Sequence, residues 1–149
     1  MRKHLILLIA TATLLTGMGE VAASAIIKNP TDVSTKLQLE LNAIEQRQNA
    51  CRLSLVATNG MQQKLANLVF ELVVFETGGK VLRLLSASFG AMPKSKTRLK
   101  QYDIPDLTCG KIGRLLLNDV TDCKGDKLTP KLCTAATQTS SRVKIPLDF

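Results

Sequence analysis

Residues 65–89 read LANLVFELVVFETGGKVLRLLSASF. Two apolar runs, Leu65 to Glu76 and Val81 to Phe89, flank Thr77-Gly78-Gly79-Lys80. Glycines between two short apolar runs form a tight turn, so the stretch predicts a β-hairpin. The first run is apolar on both faces, which predicts a central strand between two packed layers. If this hairpin stands, the flanking segments must supply its neighbours.

They carry the same signature. In TKLQLELNAIE, Leu37, Leu39 and Leu41 alternate strictly, the period of a half-buried strand. CRLSLVATN repeats the pattern with Cys51, Leu53, Leu55 and Ala57 on one side, and Asn59-Gly60 closes it as a turn. KTRLKQYDI is extended and stops at Ile104-Pro105-Asp106. IGRLLLNDV follows, then a Cys-bearing loop, CKGDKLTPKLC, and finally SRVKIPLDF, where Val143, Ile145 and Leu147 alternate. About seven short strands without a long helix predict an all-β protein: an antiparallel, immunoglobulin-like β-sandwich over residues 36–149.

The first 25 residues follow another logic. Arg2 and Lys3 precede an apolar run from Leu5 to about Leu15, and Ala23-Ser24-Ala25 offers small residues for cleavage. This is the pattern of a cleavable, helical secretory signal peptide. The run is shorter than the roughly 20 residues of a spanning helix. No Cys stands at the cleavage point, which argues against a lipid anchor. Residues 26–35, with Pro30 and several turn formers, read as a flexible lead-in. Without Arg2, Lys3 and Glu20, eighteen basic residues face eleven acidic ones, a net charge of +7. Such a charge favours anionic surroundings. One Tyr, four Phe and no Trp leave little material for stacking bases, so nucleic acid is not an expected partner.

The wording of these segments resembles an uncharacterised family of small exported proteins from Gram-negative bacteria. The matching words are Glu40-Leu41-Asn42, Cys51-Arg52, Phe75-Glu76-Thr77-Gly78-Gly79-Lys80, Lys96-Thr97-Arg98 and Tyr102-Asp103-Ile104-Pro105. Cys109, Ile112 to Val120, Cys123 and Ser141-Arg142 extend the match over most of residues 37–145. The resemblance implies export and a shared cysteine framework, and no activity. More loosely, the pattern is similar to immunoglobulin-like modules of bacterial envelope proteins.

Export sets the reading of Cys51, Cys109, Cys123 and Cys133, which are even in number and would meet an oxidising compartment. Three pairings are possible. If residues 112–121 are one strand, it spans about 30 Å, so Cys109 and Cys123 at its two ends cannot approach to a bridging distance. In a sandwich order, the second and sixth strands run alike in facing sheets. That brings Cys51 beside Cys109 and leaves Cys123 to pair with Cys133 across its own loop.

Catalytic and metal chemistry find little support. The single histidine, His4, lies in the signal segment, so neither a Ser-His-Asp arrangement nor a histidine-bearing zinc site is expected. Asn118, Asp119, Asp122 and Asp126 resemble a calcium loop in density only. Val120 and Cys123 interrupt the series, and no closing Glu follows. Glu71 with Glu76, or Asp103 with Asp106, are conceivable acid–base pairs, but Asp103 and Asp106 flank a proline turn. The expectation is no enzyme, no cofactor and no metal. The one binding candidate is the series Lys94, Lys96, Arg98 and Lys100, whose even spacing would make a cationic ladder along one strand face. It would be either an anion-binding stripe or the lysine guard of an edge strand, and edge protection needs no partner. The function expected is an exported binding or accessory module of the cell envelope, periplasmic or secreted. Its partner would be an envelope protein or an anionic envelope component. A secreted inhibitor or chaperone-like module that captures a strand is the alternative.

Overall fold

Alternating leucines, where they occur, become core rows. The computed structural model describes residues 36–149; the expected signal peptide (1–25) and lead-in (26–35) lie outside the described residues. The strands are β1 (Leu37–Gln46), β2 (Ala50–Asn59), β3 (Asn67–Glu76), β4 (Val81–Ser88), β5 (Thr97–Pro105), β6 (Ile112–Lys124), β7 (Thr137–Ser141) and β8 (Leu147–Asp148). One short helix, α1 (Pro130–Ala136), interrupts them. They form two four-stranded sheets, in the orders β5-β2-β1-β7 and β4-β3-β6-β8. One hydrophobic cluster draws on both. Leu37, Leu39 and Leu41 of β1 join Leu53 and Leu55 of β2, and Phe70 and Leu72 of β3 meet them from the second sheet, all fully buried. Phe70 and Phe89 meet edge to face at 5.7 Å and 81°, a geometry their quadrupoles favour.

The hairpin forms as its glycines predict, with Gly79 at φ 86°. Its first strand, β3, is central, between β4 and β6. It is not covered by a layer on each side. Leu68, Phe70, Leu72 and Val74 are fully buried, whereas on the opposite face Val73 is buried and Val69, Glu71 and Phe75 are only half-buried.

β6 departs from simple alternation. Its core-facing residues are Ile112, Leu115, Leu117, Val120 and Cys123, because its pairing with β3 shifts register three times. Each bulge inserts a residue and restores the apolar side chain to the inner face. Gly113 sits at the first. A Cβ there would lie 2.7 Å from Thr77 Cα and 2.8 Å from the Glu76 carbonyl oxygen, both backbone atoms that cannot swing away.

The C-terminal segment differs from the predicted final antiparallel strand. β7 runs parallel to β1, and β8 parallel to β6. Residues 142–146 between them form no strand. Pro146 lacks a ladder donor, and the Ser141 hydroxyl bonds the carbonyls of Val143 and Ile145 at 3.1 and 2.6 Å, curling the chain. Val143 and Ile145 still pack against the core. α1 begins at Thr129, whose side chain accepts from the Leu132 N–H, with Pro130 at its first position. Both are helix-start signals that stand in the sequence TPKL.

The bridges join Cys51 to Cys109 and Cys123 to Cys133, the pairing that the strand ends require. The first ties β2 to the single turn of 3-10 helix, Cys109–Lys111, that feeds β6. The second ties β6 to α1. Among the described residues no helix is long and apolar enough to cross a membrane.

Candidate interaction surface

Lys94, Lys96, Arg98 and Lys100 do not form a one-face ladder. Only Arg98 and Lys100 lie in β5; Lys94 and Lys96 belong to the turn before it, where Ser95 takes φ 60° and the Lys96 N–H donates to the Pro93 carbonyl. Residues facing each other across two strands share a sheet face. Arg98, Lys100, Tyr102 and Ile104 stand opposite Ala57, Leu55, Leu53 and Cys51, so the even positions of β5 form the core-facing row. Arg98 crosses the gap to the second sheet and donates to the Phe89 carbonyl. Tyr102 donates its hydroxyl to the Ser88 carbonyl at 2.8 Å, and burial pushes its pKa above the usual phenol value, keeping the proton on the donor. Inward-pointing charge is one of the devices that keep an edge strand from pairing with another chain. β5 is such an edge.

β4 is an edge of the opposite kind. It pairs with β3 alone. The Phe89 N–H donates to the Leu68 carbonyl at 2.9 Å, which sets the phase of the ladder. Leu85 and Ala87, in step with Phe89, direct their backbone groups to β3, and Leu84, Ser86 and Ser88 direct theirs away from the sheet. Tyr102 takes the Ser88 carbonyl; no described strand pairs with Leu84 or Ser86 on that side. Arg83 is the one charge in this strand, and it contains no Pro. Leu84 is 65 % exposed and Val81 49 %. Across the outer face, Leu84 stands beside Val73, and Val73 beside Leu116. The next rank runs Val81, Phe75 and Arg114, with the Arg114 guanidinium 3.9 Å above the Phe75 ring. On the inner side of the same edge, a depression of about 350 Å³ opens between Arg83, Leu84 and Leu85 of β4 and Asp103, Ile104 and Pro105 of β5. The sequence displayed three leucines in VLRLLSAS, but alternation alone could not say that this strand would end a sheet.

The acidic residues are dispersed among separate partners. Asp103 accepts from the Nε and Nη2 of Arg52, at 2.6 and 2.7 Å. Asn118 donates to Glu71 at 2.6 Å, Thr134 donates to Asp119 at 2.7 Å, and Asn67 donates to Asp122 at 2.9 Å. Asn118, Asp119 and Asp122 of the conceivable calcium loop thus all lie in β6 but are engaged by β3 and α1, and Asp126 follows in the loop after the strand. All four cysteines are in disulfides.

Two carboxylates have clear electrostatic settings. The hydrogen bonds from Arg52 hold Asp103 below the usual carboxylate range, against an opposing effect of burial. The Asn42 amide, aided by Arg142, does the same for Glu40. A carboxyl whose pKa is lowered by folding stabilises the fold above its unfolded value, and that contribution is lost as pH falls through the folded value. The melting temperature should therefore stay level from about pH 5.5 to 8.5 and decline only below about pH 4, where these groups protonate. Residues 36–149 contain no His, so a step in thermal melts near pH 6.5 would contradict this account.

Comparison with family models, with curated proteins and with solved structures finds no match for this chain.

Proposed function

We propose that this protein is an exported, non-enzymatic binding module of the bacterial cell envelope, and that it takes an extended segment of a partner protein along β4. The observation that carries the reading is the contrast between its two long edges. β5 is guarded by Lys100, by inward-pointing Arg98 and by Pro105 at its end, whereas β4 offers outward backbone groups, exposed Leu84 and a depression that Arg83 and Asp103 line together with Leu85, Ile104 and Pro105. A strand added to such an edge gains main-chain hydrogen bonds from the edge and specificity from pockets that receive alternate side chains. The partner segment would alternate apolar and polar residues, with apolar ones entering the depression beside Leu85 and Ile104.

Export is supported by the N-terminal sequence pattern and by two disulfides, which persist in oxidising compartments. The resemblance to small exported Gram-negative proteins points the same way. We read the architecture as an immunoglobulin-like sandwich. β2 and β6 are inner strands of opposite sheets, and a disulfide links the start of one to the approach of the other; the parallel β7 and β8 depart from the usual plan. The absence of His after residue 4 and the pairing of every thiol in a disulfide support a binding role over catalysis by a His- or Cys-dependent site.

Photo-crosslinkers placed at Leu84 or Ser86 in the exporting cell should trap a discrete partner, and one placed at Gln101 on the guarded edge should not. Ser86→Pro removes an N–H that points away from the sheet, so the fold is expected to survive it, while partner capture is expected to drop at least tenfold. Equal capture from Gln101, or undiminished capture by a folded Ser86→Pro protein, would refute the β4 reading. Crosslinks to a second copy of this chain would replace the partner by self-association.

A further inference from the structure

The lysines that fail to make a ladder take part in a different arrangement. Four stretches of chain meet at one end of the two sheets: the entry to β1, the β2–β3 connection, the β4–β5 connection and the exit of β6. Backbone bonds knit them together. The Gly60 N–H donates to the Lys36 carbonyl at 3.0 Å, Asn59 to Lys96 at 2.9 Å, Leu65 to Met92 at 2.9 Å, and Ala66 to Lys124 at 2.5 Å. Asn59, fully buried, locks the end from inside, with its amide nitrogen on the Gln63 and Met92 carbonyls at 2.9 Å. These stretches bring Lys36, Lys64, Lys94, Lys96, Lys124 and Lys127 to one pole, every one exposed. Asp122 and Asp126 are the acidic residues among them, and Asp122 is engaged by Asn67 and Lys124. At the opposite pole, where β7 also turns into β8, the excess is smaller, with Arg47, Lys80, Lys111 and Lys144 standing among Glu45, Glu76 and Asp106. The excess positive charge of the domain is therefore polarised along its long axis.

We infer that this lysine pole docks on an anionic lipid surface. Two features select a bilayer. The cations are all lysines, hydrated point charges that need no planar partner, whereas bidentate recognition of individual phosphate or carboxylate groups uses arginine. The only aromatic side chain in these stretches, Phe89, is buried in the core, so the pole has no ring on which to stack a nucleobase. Clustered lysines beside an anionic leaflet attract it additively, within a Debye length of the surface. The inference is independent of the β4 reading. Docking by this pole leaves the long β4 edge pointing away from the bilayer plane and open to a partner.

The test uses the oxidised protein recovered from an exporting host, with flotation on vesicles of phosphatidylglycerol and phosphatidylcholine or of phosphatidylcholine alone. Binding is expected only to the anionic vesicles, with release as salt rises from 0.05 to 0.5 M, on the order of a threefold shortening of the screening length. The triple variant Lys64→Glu, Lys94→Glu, Lys96→Glu should bind roughly 100-fold or more weakly. A charge-matched control at the other pole, Arg47→Glu, Lys80→Glu, Lys111→Glu, should bind within about threefold of the parent, and circular dichroism would show that both variants fold. Equal losses in the two triples would reduce the effect to net charge and overturn the assignment. So would binding to neutral vesicles, or capture of a soluble anionic glycan without vesicle binding. Ser86→Pro should leave vesicle binding unchanged, so failure of the pole and failure of the β4 edge are separately visible.

Discussion

Replacing Cys51 and Cys109 together by alanine should lower the unfolding free energy by about 4 kcal/mol, the largest loss expected from removing either bridge. The bridge closes 58 residues, and in the chain-entropy picture its effect comes from restricting the unfolded chain over that span. The closure contains β3, β4 and β5, and so reaches into both sheets. Cys51 is fully buried, so its replacement also removes packing. The Cys123–Cys133 bridge closes only 10 residues, and its removal should cost about 3 kcal/mol. Denaturant titration of both double variants, each compared with the oxidised parent, measures the two losses. A small domain has a total stability of about 5–15 kcal/mol, so the first variant is expected to be marginal at 37 °C. An inverted order of the two would show that the unfolded chain is restricted by something other than loop length.

Asn59→Ala should cost about 3 kcal/mol, although it deletes a side chain of ordinary size at the end of a strand. Asn59 is fully buried. Its amide nitrogen donates to Gln63 and Met92 at 2.9 Å and approaches the Pro93 carbonyl at 3.2 Å, while its oxygen accepts from the Met61 N–H at 3.0 Å. Truncation strands several backbone groups away from water, and a buried group without a partner costs about 1–3 kcal/mol. Asn59→Asp should be worse, because it turns a carboxylate toward carbonyl oxygens. Chemical denaturation gives the energies, and amide exchange gives the location: Met61 and Leu65 should lose protection first, ahead of the central strands. A loss below about 0.5 kcal/mol would mean that water replaces the side chain without penalty. The same residue is a positioning residue for the lysine pole, since it fastens the connections that carry Lys64, Lys94 and Lys96.

These two residues differ in how far they could be read in advance. Cys51 announced its role through the even number of cysteines and its position at the start of a strand. Asn59 looked like half of an Asn-Gly turn, and its four contacts are made to residues up to 34 positions away, which no local pattern records. β1, β2 and β5 were legible because a strand with one face in the core must alternate, as Leu37, Leu39 and Leu41 do. β6 was legible only in outline: its three bulges move Leu115, Val120 and Cys123 inward, and a bulge is chosen by the partner strand as much as by the residues inserted. The C-terminal segment misled because Val143, Ile145 and Leu147 alternate like a strand while Ser141 and Pro146 turn the chain away.

The amino-acid sequence alone determined what is local or covalent: which segments are extended, where the glycine turns fall, and how four thiols can pair without crossing the length of a strand. Each follows from short-range sterics and from distances a chain cannot stretch. Tertiary structure alone decided which strand would be an unguarded edge, which face of β5 would carry Arg98, and that lysines 58 residues apart, Lys36 and Lys94, would share a pole. Those outcomes depend on the order in which strands meet, and that order is set by the total burial of both sheets rather than by any one segment.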